Sequence, residues 1–174
     1  MDEKYPIGQY SLIGKVTADQ RRAWISQIEQ LPKRLRESVA GLQGSELQTP
    51  YRTGGWSIIQ VVHHIADSHM NSYIRFKLAL TEETPTIRPY YEDRFAELPD
   101  SVDADIDPSL ILITQLHKKW VTLLESLTEE DFQKAFYHPE SKETLHLDYT
   151  LGHYAWHGNH HVAHILAARE RMDQ

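Results

Sequence analysis

The sequence predicts an all-α protein built as a four-helix bundle, and three observations carry that expectation. Thr17 with Gln20 and Ser57 with Gln60 form two capping boxes, each followed by apolar residues at helical spacing. No stretch alternates polar and apolar side chains as a half-buried strand would, and no repeat or low-complexity run interrupts the pattern. At 174 residues the simplest organisation is one domain spanning 1–174, long enough to bury a sizeable core.

Tyr5 to Thr17 reads as an extended leader with few helix signals. The first helix opens after Thr17 and runs from Ala18 to about Ala40, and Pro32 inside it predicts a kink or short break. Gly41 and Gly44 end the helix, Ser45 starts one brief turn, and Thr49 to Gly55 forms a loop, so the first long connection covers about 41–56. The second helix follows Ser57 and reaches about Leu80. Ile58, Val61, Val62, Ile65, Ser72, Tyr73 and Phe76 share one face of it. His69 lies in the middle of that face, His64 and Asn71 off one edge, and His63 off the opposite edge.

The second long connection, about 81–107, contains Pro85, Pro89, Pro99 and many acids, a composition and length that suit a lid or a crossover. Asp107-Pro108 opens a third long helix over Leu110 to Leu127. Thr128 with Asp131 begins a short helix, His138-Pro139 marks a turn, and Leu145 to Leu147 is extended. Asp148 caps the last helix, which continues to about Arg171 with Leu151, Ala155, Gly158, Val162, Ile165 and Leu166 facing inward. Gly158 lowers helix propensity, and it either permits close approach of a neighbour such as Trp56 or reflects close helix packing.

Composition narrows the function classes. Apolar residues at 40% and charged residues at 25% are ordinary for a globular protein. No run of about 18 apolar residues predicts a membrane span. The first eight residues lack the basic head and apolar core of a signal peptide, so a cytoplasmic location is the default. A net charge of −7 and a pI near 5.8 argue against a nucleic-acid binder. The chain has no cysteine, which excludes disulfides, thiolate ligands and a cysteine nucleophile; any metal must be held by nitrogen or oxygen.

Histidines carry the chemistry. His153, His157, His160, His161 and His164 fall on the last helix, and His63, His64 and His69 on the second. Residues i and i+4 share a helix face, so His157/His161 or His160/His164 can grip one ion from one side. A third imidazole from a neighbouring helix would leave a coordination position open, as in a catalytic rather than a closed structural site. At the ideal helical period His161 lies roughly 90° and His157 roughly 130° from the centre of the apolar stripe, with His164 at roughly 150° and His160 pointing away. Periodicity thus favours His157/His161 at the core edge and makes His160/His164 the more solvated pair. Gly158 follows His157 where zinc proteases carry a glutamate, which disfavours that mechanism. His69, central on an apolar face, reads as a residue satisfying a buried hydrogen bond, and Asp67 as a candidate partner for a histidine ring.

Several stretches resemble the DinB superfamily, and within it the YfiT-like branch. They are Tyr5-Pro6-Ile7-Gly8, Thr49-Pro50-Tyr51-Arg52 with Gly54-Gly55-Trp56, Gln60 to Tyr73, Thr81 to Pro85, Phe136 to Pro139, and Trp156-His157 to His164. The resemblance implies a four-helix bundle of the DinB/YfiT type with one divalent metal ion per subunit held by three histidines, which match His64, His157 and His161. It implies a homodimer as well, and Trp24, Ile25, Ile74, Leu78, Trp120 and Leu124 offer more large apolar side chains than one core needs.

Three neutral imidazoles suit zinc or nickel, leave the ion its full charge, and allow it to acidify a bound water or polarise a substrate oxygen. The leading expectation is therefore a metal-dependent hydrolase of a small molecule whose nucleophile is water at the open coordination position, with no catalytic side chain assigned. The alternatives are a metal-dependent S-transferase using a low-molecular-weight thiol of the bacillithiol type, and a non-enzymatic metal-binding stress bundle. Arg88, Tyr90, Tyr91 and Arg94 in the 81–107 connection are expected to border the pocket and orient a polar ligand. Neither nucleic acid nor a membrane is an expected partner.

Overall fold

The computed structural model describes residues 3–172, so the outermost residues of the expected 1–174 domain lie outside the described residues. Four long helices dominate: α1 (Ala18–Val39), α2 (Ile58–Thr81), α5 (Asp107–Glu125) and α7 (Leu147–Met172). Short helices α3 (Glu92–Ala96) and α4 (Pro99–Val102) occupy the connection from α2 to α5, and α6 (Glu129–Gln133) follows α5. A 3-10 turn at Gly44–Glu46 interrupts the first connection. The helices α1 and α2 each pack against both α5 and α7, so the bundle runs α1, α5, α2, α7 around its axis. Its core is filled by Ile28, Leu31, Leu35, Ile58, Ile65, Phe76, Ile113, Trp120, Phe136 and Leu151, all at most 2% exposed. No helix among the described residues is long and apolar enough to cross a membrane.

Both predicted capping boxes form. Thr17 Oγ1 accepts from the Gln20 amide at 3.2 Å while Gln20 Oε1 accepts from the Thr17 amide at 2.9 Å. Ser57 and Gln60 repeat the exchange at 3.3 and 2.9 Å. Each box satisfies amides that the first helical turn leaves without partners.

Other expectations need correcting. Helix α1 runs without a break through Pro32. Proline cannot donate to the carbonyl four residues earlier, and the Ile28 oxygen receives the Nδ1 proton of His117 instead, at 2.6 Å. A partner from α5 thus replaces the missing amide. Residues 135–146 form a small antiparallel hairpin, β1 (Ala135–His138) with β2 (Glu143–His146), of which only the second arm was expected to be extended. Asp148 does not cap α7 from outside. It lies in the first turn, where its carboxylate accepts from Arg21 Nη1 at 3.1 Å and Gln133 Nε2 at 2.7 Å. Leu166, assigned inward, is 44% exposed.

The largest revision concerns the histidine face of α7. His160 and His164 are 6% and 2% exposed, so they are no solvated pair. The leader folds over them: Trp156 Nε1 donates to the Gly8 oxygen at 3.0 Å, Tyr10 to the Tyr149 oxygen at 3.2 Å, and the Tyr5 ring lies 5.9 Å from the His160 ring. Of the residues expected to cover a dimer surface, Trp120 and Leu124 are core, whereas Ile74 is 49% exposed.

Gly158 reflects close helix packing, the second of its two readings, and its neighbour is α1 rather than Trp56: a Cβ there would meet Leu31 Cδ2 at 2.4 Å and Cδ1 at 2.9 Å. Leu31 is 2% exposed and packed within the core. Gly158→Ala should therefore lose more through overpacking, about 1–3 kcal/mol, than the roughly 0.5–1 kcal/mol it gains in helix propensity. The expected outcome is a lower urea midpoint, and a stabilised variant would show that the α1–α7 contact is slack.

Burial also pushes the core histidines down, His117 to about 4. In the unfolded chain the ring titrates near 6.5, so below that pH protons bind the unfolded state first. The metal-free protein should lose stability as pH falls from about 6.5 to about 4, on the order of 3 kcal/mol from His117 alone, and change little from pH 7 to 8. Urea titrations across that range measure it; a flat profile would show that His117 binds its proton as readily folded as unfolded.

Candidate metal centre

The first half of α2 is buried nearly all round, which carries His64 into the groove against α7. There it meets the i,i+4 pair His157 and His161. His64 Nε2 lies 3.2 Å from His157 Nε2, and the three candidate ligand atoms lie within 4.8 Å of one another. The three ring centroids are 4.6–5.2 Å apart. Two nitrogens sharing a tetrahedral ion at about 2.0–2.1 Å stand about 3.3 Å apart, so the spacing fits one ion between them. The donor set is all nitrogen, as the absence of cysteine requires.

Burial keeps the rings neutral. It lowers His64 to about 4, and it holds His157 and His161 well below the ordinary range, with neighbouring imidazoles adding to the effect. Neutral rings offer lone pairs at pH 7, which metal binding requires. Trp56 walls the site, its ring centroid 4.7 Å from that of His64.

The rejected candidates have other occupations. His63 points to the start of α5, where Nδ1 is 2.8 Å from Ser109 Oγ. His160 stacks on Trp156 at 4.4 Å. Behind the proposed ligands stand further imidazoles. His157 Nδ1 is 3.2 Å from His69 Nε2, and His69 Nδ1 is 2.9 Å from His117 Nε2. His161 Nδ1 is 3.4 Å from His164 Nδ1, whose Nε2 lies 3.2 Å from the Lys4 oxygen. His69 therefore fills the buried hydrogen-bonding role expected of it. The ring partner sought in Asp67 is supplied by histidines, and the Asp67 carboxyl, half-buried beside Asp100, is raised by desolvation.

A pocket of about 400 Å³ opens over the cluster, with Tyr51, Arg52, Trp56, His153, Glu92 and Asp93 in its wall. The 81–107 connection does reach the site, but through Glu92 and Asp93. Arg88, Tyr90 and Tyr91 line a separate hollow with Asn71 and Phe95, and Arg94 lies over the Tyr91 ring. Desolvation, with Asp93 next, raises the Glu92 carboxyl, and Arg75 opposes the shift. No local sequence signal marks Glu92 or His117; each reaches its place through tertiary packing.

The DinB superfamily model matches residues 27–165. A Bacillus mycoides protein named "Putative metal-dependent hydrolase" is 54% identical over 172 residues, 99% of this chain and 98% of that one. YfiT of Bacillus subtilis, which bears the same name, is 51% identical over 97% of this chain and 94% of its own. A solved structure of that YfiT, described as a probable metal-dependent hydrolase with an unusual four-helix bundle topology, superposes with a TM-score of 0.97 at 50% identity and covers 99% of each chain. With its bundle, its histidine cluster and these matches together, the chain belongs to the DinB superfamily and shares the four-helix topology of YfiT.

Proposed function

We propose that this protein is a metal-dependent hydrolase of a small molecule, in which His64, His157 and His161 hold one divalent ion, zinc or nickel, per subunit. The observation that carries the reading is the meeting of these three neutral imidazoles at the floor of an open pocket. The names of the relatives support it. When bound, such an ion supplies Lewis-acid chemistry, acidifying water and polarising a substrate oxygen.

The chain's own residues do the rest. Glu92, with its proton affinity raised by desolvation and by Asp93, is placed in the pocket to take up a proton released there. Arg52, whose Nε donates to Tyr51 Oη at 3.1 Å, sets a guanidinium in the same wall to hold an anionic or carbonyl group. Trp56 excludes water from one side of the cluster. A volume of about 400 Å³ suits a small molecule rather than a polymer. The proposal takes residues 1–174 as one domain and, with Ile74, Ile111 and Leu112 exposed at 49%, 57% and 40%, as a homodimer; light scattering should return about twice 20.3 kDa, and the monomer mass would remove that part.

His161→Ala should weaken metal binding more than about 100-fold, beyond the upper range for an outer partner, and abolish turnover. His160→Ala should keep the ion, since that ring stacks on Trp156 and supplies none of the three clustered ligand nitrogens. Metal analysis of protein purified without a nickel column checks both, and equal loss would show that the wrong pair was chosen. Activity is read by screening hydrolysable small substrates with and without an added thiol. Thiol-independent product is expected; product only with thiol would move the reading to S-transfer, and no turnover in either panel to a metal-binding bundle.

A further inference from the structure

We propose that His69 with His117, and His164 separately, are positioning residues that hold the ring protons of His157 and His161 on Nδ1, leaving both Nε2 lone pairs bare toward the ion. The inference rests on the metal centre proposed above and adds the groups that prepare it before metal arrives.

Two carbonyl oxygens, which can only accept, anchor the two chains. The Ile28 oxygen lacks its helical amide because Pro32 has none, and His117 Nδ1 reaches it at 2.6 Å. A neutral imidazole has one N–H, so His117 Nε2 is bare and can only accept. His69 Nδ1, 2.9 Å away, must donate to it, which leaves His69 Nε2 bare. His157 Nδ1, 3.2 Å from that atom, must donate in turn, which leaves His157 Nε2 bare where it faces His64. The second chain is shorter. His164 Nε2 donates to the Lys4 oxygen at 3.2 Å, so His164 Nδ1 accepts from His161 Nδ1 at 3.4 Å and His161 Nε2 is bare.

Neutrality, on which the deduction depends, follows from burial. His69, His117 and His164 are 0%, 1% and 2% exposed. A neutral histidine in water favours the opposite tautomer, with the proton on Nε2, which would block the metal side. The two chains reverse that preference and fix the ring planes, a role usually filled by carboxylates or carbonyls behind metal-binding histidines. Tyr51 lies over His164 with ring centroids 4.0 Å apart, and the His160 ring stands 4.2 Å from the same imidazole, yet the Nε2 of His164 keeps its carbonyl partner.

Long-range proton–nitrogen NMR of the metal-free wild-type protein reads the tautomers directly. His157 and His161 are expected with protonated Nδ1 and unprotonated Nε2, and an Nε2–H form at either ring would overturn its chain. Zinc affinity, measured by competition with a chromophoric chelator, adds a second readout. His117→Phe and His164→Phe should each weaken zinc by about 10–100-fold. His117→Gln should recover most of the loss, because its amide both donates to the Ile28 oxygen and accepts from His69. In His117→Phe the spectrum of His157 should change while that of His161 stays, which a general loosening of the fold would not produce. Unchanged affinity in the Phe variants, or no rescue by Gln, would overturn the proposal. Failure of the wild type to bind zinc or nickel would instead remove the metal centre, and the metal-free spectrum would still decide the tautomers.

Discussion

A buried imidazole must find partners for two unlike nitrogens, and this constraint ties the four long helices together around the histidines. One hydrogen-bond chain visits each helix in its order around the bundle: the Ile28 oxygen on α1, His117 on α5, His69 on α2 and His157 on α7. Removing any member leaves a neighbour unpaired in the core, at about 1–3 kcal/mol for a buried donor or acceptor. His63 Nε2 and His160 Nδ1 are buried without partners among the described residues, and both rings lie outside the chains. The core thus tolerates an unpaired nitrogen at its margins while every link along the chain at its centre is matched.

Local rules were legible in the sequence where local interactions decide. The capping boxes at Thr17 and Ser57 are exchanges between residues three apart, and they formed as read. The His157/His161 pair was legible for the same reason, since four-residue spacing fixes a shared face. Pro32 marks the limit of such rules: its missing amide predicts a break, yet a side chain 85 positions onward in α5 takes the freed carbonyl. Burial of His160 and His164 was hidden because the residues that cover them belong to a leader with no helical or amphipathic signal. The hairpin escaped because four-residue strands are too short to show alternation, and β2 is mostly exposed.

The pocket rim follows from the loop between the 3-10 turn and α2. The Tyr51 amide donates to the Trp56 oxygen at 2.9 Å, closing the loop, and Gly54 adopts φ 69° inside it. A Cβ on Gly55 would meet Arg52 Cγ at 2.8 Å and Tyr51 Cε1 at 2.9 Å. That close approach sets Tyr51 over His164 and Trp56 against His64, so a single loop covers one ring of each kind, a proposed ligand and a proposed support. Loop and cluster are therefore coupled through packing, not through sequence proximity.

Charge in the pocket bears on what Glu92 can do. Alone, it shares a partly desolvated wall with Asp93, and both effects favour the proton. A divalent ion on His64, His157 and His161 would place positive charge in the same pocket, since neutral imidazoles cancel none of it. That charge favours the carboxylate and opposes the shift from Asp93 and burial. In the proposed centre Glu92 is accordingly a proton acceptor when the ion is bound and a weaker acid than usual when it is not. The ion's field would thus keep Glu92 ionised and able to receive a proton, while desolvation and Asp93 preserve part of its basicity, and the Arg52 guanidinium would add a second positive charge to the same wall.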